Sequence, residues 1–344
     1  MTTTSAPPRP LLPVLTRMAA GLLLALMGAL LAWQGIKFKP TPGLESTSTP
    51  LTVPLDGPLP LDLARAATLR FEGDRSSIDL RPLPARSPDL LRGEAQHRAR
   101  NPVVVSSGRQ GGNVNFTAQL YVRALDDRGV VVDRPEPFQH QLQAALTPTI
   151  PLTLSTYTVG GNQRLDLQTL RVRALTARSD SGDLRLTLPA RAGGPYAVVT
   201  RRGNVTVKAD AGAAPEAVRV NSQLGDLDLE LGRTSLDALN VGSGSGNIKL
   251  ILPARVNRGS LTTSSGNVDV MVLGRSSGNL DIRTGSGMVS LRLPRDLKAR
   301  IRFTDRDTLM LPEGTPPATA PQLDIFVDAS SDHFKLSLTS GDRP

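Results

Sequence analysis

A short unit, Gly-[Asn/Asp]-apolar-x-apolar, returns along the second half of this chain at a nearly constant distance, and that spacing limits the fold more than any other feature. It reads Gly182-Asp183-Leu184-Arg185-Leu186, Gly203-Asn204-Val205-Thr206-Val207 and Gly225-Asp226-Leu227-Asp228-Leu229. It continues as Gly246-Asn247-Ile248-Lys249-Leu250 and Gly266-Asn267-Val268-Asp269-Val270, with further units at Gly278-Asn279 and Gly287-Met288. From Gly161 the steps between units are 21, 21, 22, 21 and 20 residues, and the last two, 12 and 9, again sum to 21. A fixed period of this length marks a stacked repeat.

The unit has a direct physical reading. Alternation sends every second side chain inward. Glycine followed by Asn or Asp supplies a tight corner, and Pro or Gly then ends the strand. The chain is therefore expected to be all-β, a parallel β-solenoid of about 21 residues per coil, with each coil pairing to the last. The corners fall at Gly182, Gly203, Gly225, Gly246, Asn247, Gly266, Asn267, Gly278, Asn279 and Gly287, the Gly278 unit sitting half a turn on. Stacking in register puts Arg185, Thr206, Asp228, Lys249 and Asp269 in one outward column, and sets Lys208 beside Glu230. Opposite charges on neighbouring strands are mildly favourable. Aromatics are only 3% of the chain, which suits a narrow core of Leu, Val and Ile better than a wide sandwich.

The N-terminus is different. Met18 to Ile36 carries no charge, long enough for a single transmembrane helix. No small-x-small cleavage site follows it, so an uncleaved signal anchor is expected. Residues 40–60, rich in Pro, Gly, Ser and Thr, read as a stiff tether. The expected organisation is 1–39 tail and anchor, 40–60 linker, 61–159 an N-terminal β region capping the solenoid, and 160–340 the solenoid itself. Strands are expected at 67–72, 77–80 and 113–122, and at the end at 323–327 and 334–338.

The net charge is +9, of which Arg9, Arg17, Lys37 and Lys39 supply +4, leaving +5 spread over the body. That field is too diffuse for a nucleic-acid groove, though it suits mild attraction to an anionic envelope polymer. No cysteine is present, which removes disulfides, thiolate metal sites and thiol catalysis. His97, His140 and His333 lack metal-type spacing and read as surface or cap residues. The Gly242–Gly246 run lacks the Gly-Lys-Ser/Thr ending of a phosphate loop and reads as a coil corner. Asp183, Asp226, Asp228, Asp269 and Asp281 read as corner and outward residues, not as paired catalytic carboxylates. Ile251 and Met271 break the polar outward pattern at one position on adjacent coils, giving a contact patch that packs under a terminal segment or meets a partner.

The recurring Ser-Gly-Asn/Asp-apolar-x-apolar units at Ser181, Ser245, Ser265, Ser277 and Ser286 resemble the bacterial adhesin-type family of β-strand-repeat domains of unknown function, over roughly 160–340. The strands of 59–122 look more faintly like the toast-rack domain of membrane-associated envelope-stress proteins. The resemblance implies a β-solenoid at the cell surface with no established activity. The expected function is non-catalytic, not an enzyme and without a cofactor. The chain would be a single-pass envelope protein, its body outside the cytoplasm, offering a rigid surface to an envelope polymer or a membrane protein. An envelope-stress modulator acting through a membrane partner is the alternative, and a polysaccharide-acting β-helix enzyme the third.

Overall fold

The computed structural model describes residues 12–35, 43, 45–55, 64–122, 140–210, 212–274, 276–313, 321–329 and 331–339. One helix, α1 (Leu12–Gly35), precedes the strands. Of its side chains, those of 19–30 are described. The expected span Met18 to Ile36 falls on this helix, with Ile36 and its flanks outside the described residues. Among the described residues no helix is long and apolar enough to cross a membrane.

The strands begin with β1 (Ser46–Pro54), β2 (Ala66–Pro82), β3 (Asp89–Arg98), β4 (Val103–Gln110), β5 (Asn113–Leu120) and β6 (His140–Leu146). Regular coils follow as long–short pairs: β7 (Pro151–Gly160) and β8 (Gln163–Asp166), β9 (Arg171–Ser181) and β10 (Leu184–Thr187), β11 (Tyr196–Arg202) and β12 (Val205–Lys208). They continue as β13 (Ala217–Leu224) and β14 (Leu227–Glu230), β15 (Ser235–Ser243) and β16 (Ile248–Leu252), β17 (Arg255–Thr263) and β18 (Val268–Val272), β19 (Ser277–Thr284) and β20 (Val289–Pro294). The end is formed by β21 (Ala299–Phe303), β22 (Leu309–Leu311), β23 (Leu323–Asp328) and β24 (Phe334–Thr339).

Each coil gives one strand to each of two facing sheets. The long-strand sheet runs β4-β5-β2-β7-β9-β11-β13-β15-β17-β19-β23-β21-β22. The short-strand sheet runs β1-β3-β6-β2-β8-β10-β12-β14-β16-β18-β20-β24. Every pairing from β5 and β6 through to β21 and β24 is parallel. The antiparallel pairs stand at the ends: β1–β3, β3–β6, β4–β5 and β21–β22.

The core lies between the sheets as in-register columns. Leu184, Val205, Leu227, Ile248, Val268 and Val289 stack in one, and Leu186, Val207, Leu229, Leu250, Val270 and Leu291 in the next, all buried. Burying each such side chain contributes about 1.5–3 kcal/mol. Aromatics enter the core mainly near its start, where the Phe71 and Phe116 rings meet at 5.8 Å.

Two expectations change. Within the expected tether, residues 46–54 form an edge strand, because Leu51 and Val53 alternate with polar residues and are buried. The boundary at 160 is not a structural one, since β2 and β7 already lie in the parallel stack and share its single core. Gly278 and Asn279 open β19 in the long-strand sheet, half a turn from the corner column as expected. The strands expected at 67–72, 77–80, 323–327 and 334–338 are present, and that expected at 113–122 ends at Leu120.

Candidate contact surface

The corner between the two sheets is the most regular feature of the molecule. A Cβ placed on Gly246 would lie 1.9 Å from the Gly225 carbonyl oxygen, and one on Gly266 would lie 2.0 Å from that of Gly246. Glycine is required here by the close approach of successive coils.

The residue after each glycine builds a ladder. Asn162 Oδ1 accepts the Asp183 backbone N–H at 2.9 Å, Asp183 Oδ1 that of Asn204 at 3.0 Å, and Asn204 Oδ1 that of Asp226 at 2.9 Å. Asp226, Asn247 and Asn267 repeat the contact to Asn247, Asn267 and Met288 at 2.8, 3.0 and 2.9 Å. Only a side-chain oxygen is needed, so Asn and Asp interchange freely.

A second ladder was not anticipated from the sequence. Three residues before the corner glycines stand Thr158, Ser179, Thr200, Ser222, Ser243, Thr263 and Thr284, and all but half-buried Thr284 are buried. Ser243 Oγ accepts the Gly246 N–H at 2.8 Å and donates to the Gly225 carbonyl at 3.2 Å. Thr263 repeats both contacts one coil on. The signal, Ser/Thr-x-x-Gly, was legible in the chain. It explains how the Ser243 and Thr263 hydroxyls satisfy their hydrogen bonds inside an apolar core.

Outward, the anticipated column is in register: Arg185, Thr206, Asp228, Lys249 and Asp269 are consecutive partners. Lys208 Nζ meets Glu230 Oε1 at 3.0 Å. Asp269, however, bonds Arg292 on the following strand in the neighbouring column, not Lys249. The longer, forked guanidinium reaches diagonally where the ammonium turns to solvent.

Ile251 and Met271 face each other across β16 and β18, both half-buried. Leu273, 48% exposed, joins them: a Cβ on Gly232 would meet Ile251 Cγ2 at 2.8 Å and Leu273 Cδ1 at 3.0 Å. Terminal strand β24 extends the sheet beside β20 and so lies two strands along from the patch. The patch sits between two ion pairs, Lys208–Glu230 and Arg292–Asp269. That is a small apolar area with a charged rim.

The five aspartates do not converge. Asp183 and Asp226 serve the corner ladder, Asp269 holds Arg292, and Asp281 pairs with Arg283 on the other sheet. Two of the histidines take the cap position of the two expected. His97 and His140 are buried in the N-terminal cap, His97 Nε2 lying 2.8 Å from Thr49 Oγ1 and His140 Nε2 3.0 Å from Asn101 Nδ2. Among the described residues no three His, Asp or Glu side chains come together as a metal site.

Against known families, residues 160–308 match Toastrack DUF4097. This stretch is similar to a toastrack domain. The match falls on the regular coils, within the stretch where the resemblance to the β-strand-repeat family was expected, and not on 59–122, where a fainter toast-rack likeness was expected. No curated protein matches the chain. Among solved structures, a putative cell adhesion protein from Clostridium sporogenes is 10% identical, over 86% of this chain and 99% of that one, with a TM-score of 0.25. A putative adhesin from Bacteroides fragilis is 8% identical, over 86% and 97%, with a TM-score of 0.38. A putative lipid binding protein from Parabacteroides distasonis is 8% identical, over 85% and 97%, with a TM-score of 0.35.

Proposed function

We propose that this chain is a non-catalytic envelope protein in which α1 anchors a stiff toastrack rod outside the cytoplasm. The rod would present its outward columns, with the Ile251, Met271 and Leu273 patch, to an envelope polymer or a membrane protein. The observation that carries the reading is the unbroken parallel register from β2 to β24 around one core. A stack whose coils each hold the next resists bending and keeps its surface residues at fixed spacing.

The anchor is supported by the described part of α1. Leu22, Leu23, Leu24, Leu26, Met27 and Leu30 are all more than half exposed. A helix apolar on every face over residues 19–30 fits an apolar surrounding.

Protease treatment of intact cells and spheroplasts tests the arrangement. The body should be cut only from the outer side of the cytoplasmic membrane, leaving a short membrane-bound N-terminal fragment. A body protected until the cells are lysed would overturn it.

A further inference from the structure

The two sheets do not end together. Among the described residues, the long-strand sheet continues past β23 with β21 and β22, while the short-strand sheet ends at β24. Two strand spacings, about 9.6 Å, therefore separate the two edges. The inward row of β24 faces this step: Phe334 and Leu336 are half-buried and Leu338 is 38% exposed, whereas Val289, Leu291 and Leu293 beside them are buried.

The edge also has backbone groups to offer. Along this sheet the inward residues donate to the next coil, as Leu227 does to the Asn247 carbonyl and Leu231 to that of Ile251. By the same alternation the N–H groups of Phe334, Leu336 and Leu338 point away from β20, to the side where no described strand lies.

We infer that β24 is a strand-addition site for one extended peptide segment of a partner protein. The inference is independent of the envelope reading. A second copy does not fit. Two molecules joined β24 to β24 would each push β21 and β22 into the other's long-strand sheet. A head-to-tail neighbour would bring β1, whose Pro50 and Pro54 lack the N–H groups a ladder needs. A single strand lies in the step without either conflict. Added in parallel, it would cover Leu336 and Leu338 with apolar residues at alternate positions, beside Phe334, whose ring already meets Phe303 at 4.9 Å and the Arg306 guanidinium at 4.7 Å, and would meet the exposed Lys335 with an acidic residue between them.

A labelled synthetic peptide of residues 266–272 has that pattern. Its Val270 and Val272 would lie over Leu336 and Leu338, its Val268 beside the Phe334 ring, and its Asp269 would face Lys335. With the full chain, titration followed by anisotropy should show saturable binding, and hydrogen exchange should show new protection at the amides of Phe334, Leu336 and Leu338. Leu338→Lys should weaken binding at least about tenfold. Lys335→Glu should weaken it too, and should instead favour a peptide carrying Asp269→Lys. Protection of the three amides in the free monomer would overturn the proposal, since the chain would then cover its own edge. Self-association that protects them would also overturn it, as would equal binding to both variants.

Discussion

Substituting alanine for Gly246 tests the stacked corner most sharply. The new Cβ would lie 1.9 Å from the Gly225 carbonyl oxygen and 2.3 Å from its carbon. An ordinary C···O contact is about 3.3 Å, so the two coils must separate locally by more than an ångström. Three hydrogen bonds cross or brace that point, each at 2.8 Å: Asn247 N–H to Asp226, Leu227 N–H to the Asn247 carbonyl, and Gly246 N–H to Ser243 Oγ. At about 1 kcal/mol each, with the buried Ser243 hydroxyl left short of a partner, the loss should be about 3–5 kcal/mol. Gly108→Ala is the control, because nothing lies within 4 Å of its Cβ and its φ is not positive; it should stay within about 0.5 kcal/mol of wild type. Urea unfolding gives the totals. Hydrogen exchange should show the damage centred on Leu227 and Ile248, since coils contact mainly their neighbours. If Gly246→Ala were as mild as Gly108→Ala, the corner would not be the close contact described.

Three further outcomes are expected. Asn267→Ala removes the acceptor for the Met288 N–H and should cost about 1 kcal/mol, whereas Asn267→Asp keeps the oxygen and should be nearly neutral by urea unfolding. Burial pushes the Tyr196 hydroxyl up to about 12 from its ordinary 10, so its contribution is complete below pH 10 and is lost as pH rises through 12, about 2–3 kcal/mol in all. Tyr196→Phe, which loses the bond to the Val172 carbonyl, should therefore be less stable at neutral pH, with a shallower alkaline decline in denaturation curves. Burial raises the Asp324 carboxyl, but hydrogen bonds and charge from Arg300 and Arg302 outweigh it and hold the group below its usual value. Its contribution is present above the ordinary carboxylate range and fades as pH falls through the lowered value. Asp324→Asn should then loosen β21 at pH 7, seen as faster exchange at Ile301, with the difference closing in acid.

How much the chain disclosed differs between its regions. The 21-residue period gave the parallel stack, the corner column and the outward register of Asp228, Lys249 and Asp269, because each depends on residues a fixed distance apart. The Ile251 and Met271 pairing followed for the same reason. Leu273 did not, since it lies beyond the strand and reaches the patch only through the turn over Gly232. The inward hydroxyl ladder is written in the sequence as Ser/Thr-x-x-Gly, but it sits inside the apolar alternation and shares its period.

What the sequence determined by itself is thus the repeating middle, where neighbours in space are neighbours one period apart. The tertiary structure alone decided the ends. β2 is earliest among the coil strands yet lies between β5 or β6 and the regular coils, and β23 comes last in its sheet yet slots between β19 and β21. Long connections leave spatial order free of chain order. Which strand fills each place is then set by what buries the exposed apolar row, and that competition is settled only when the whole stack is assembled.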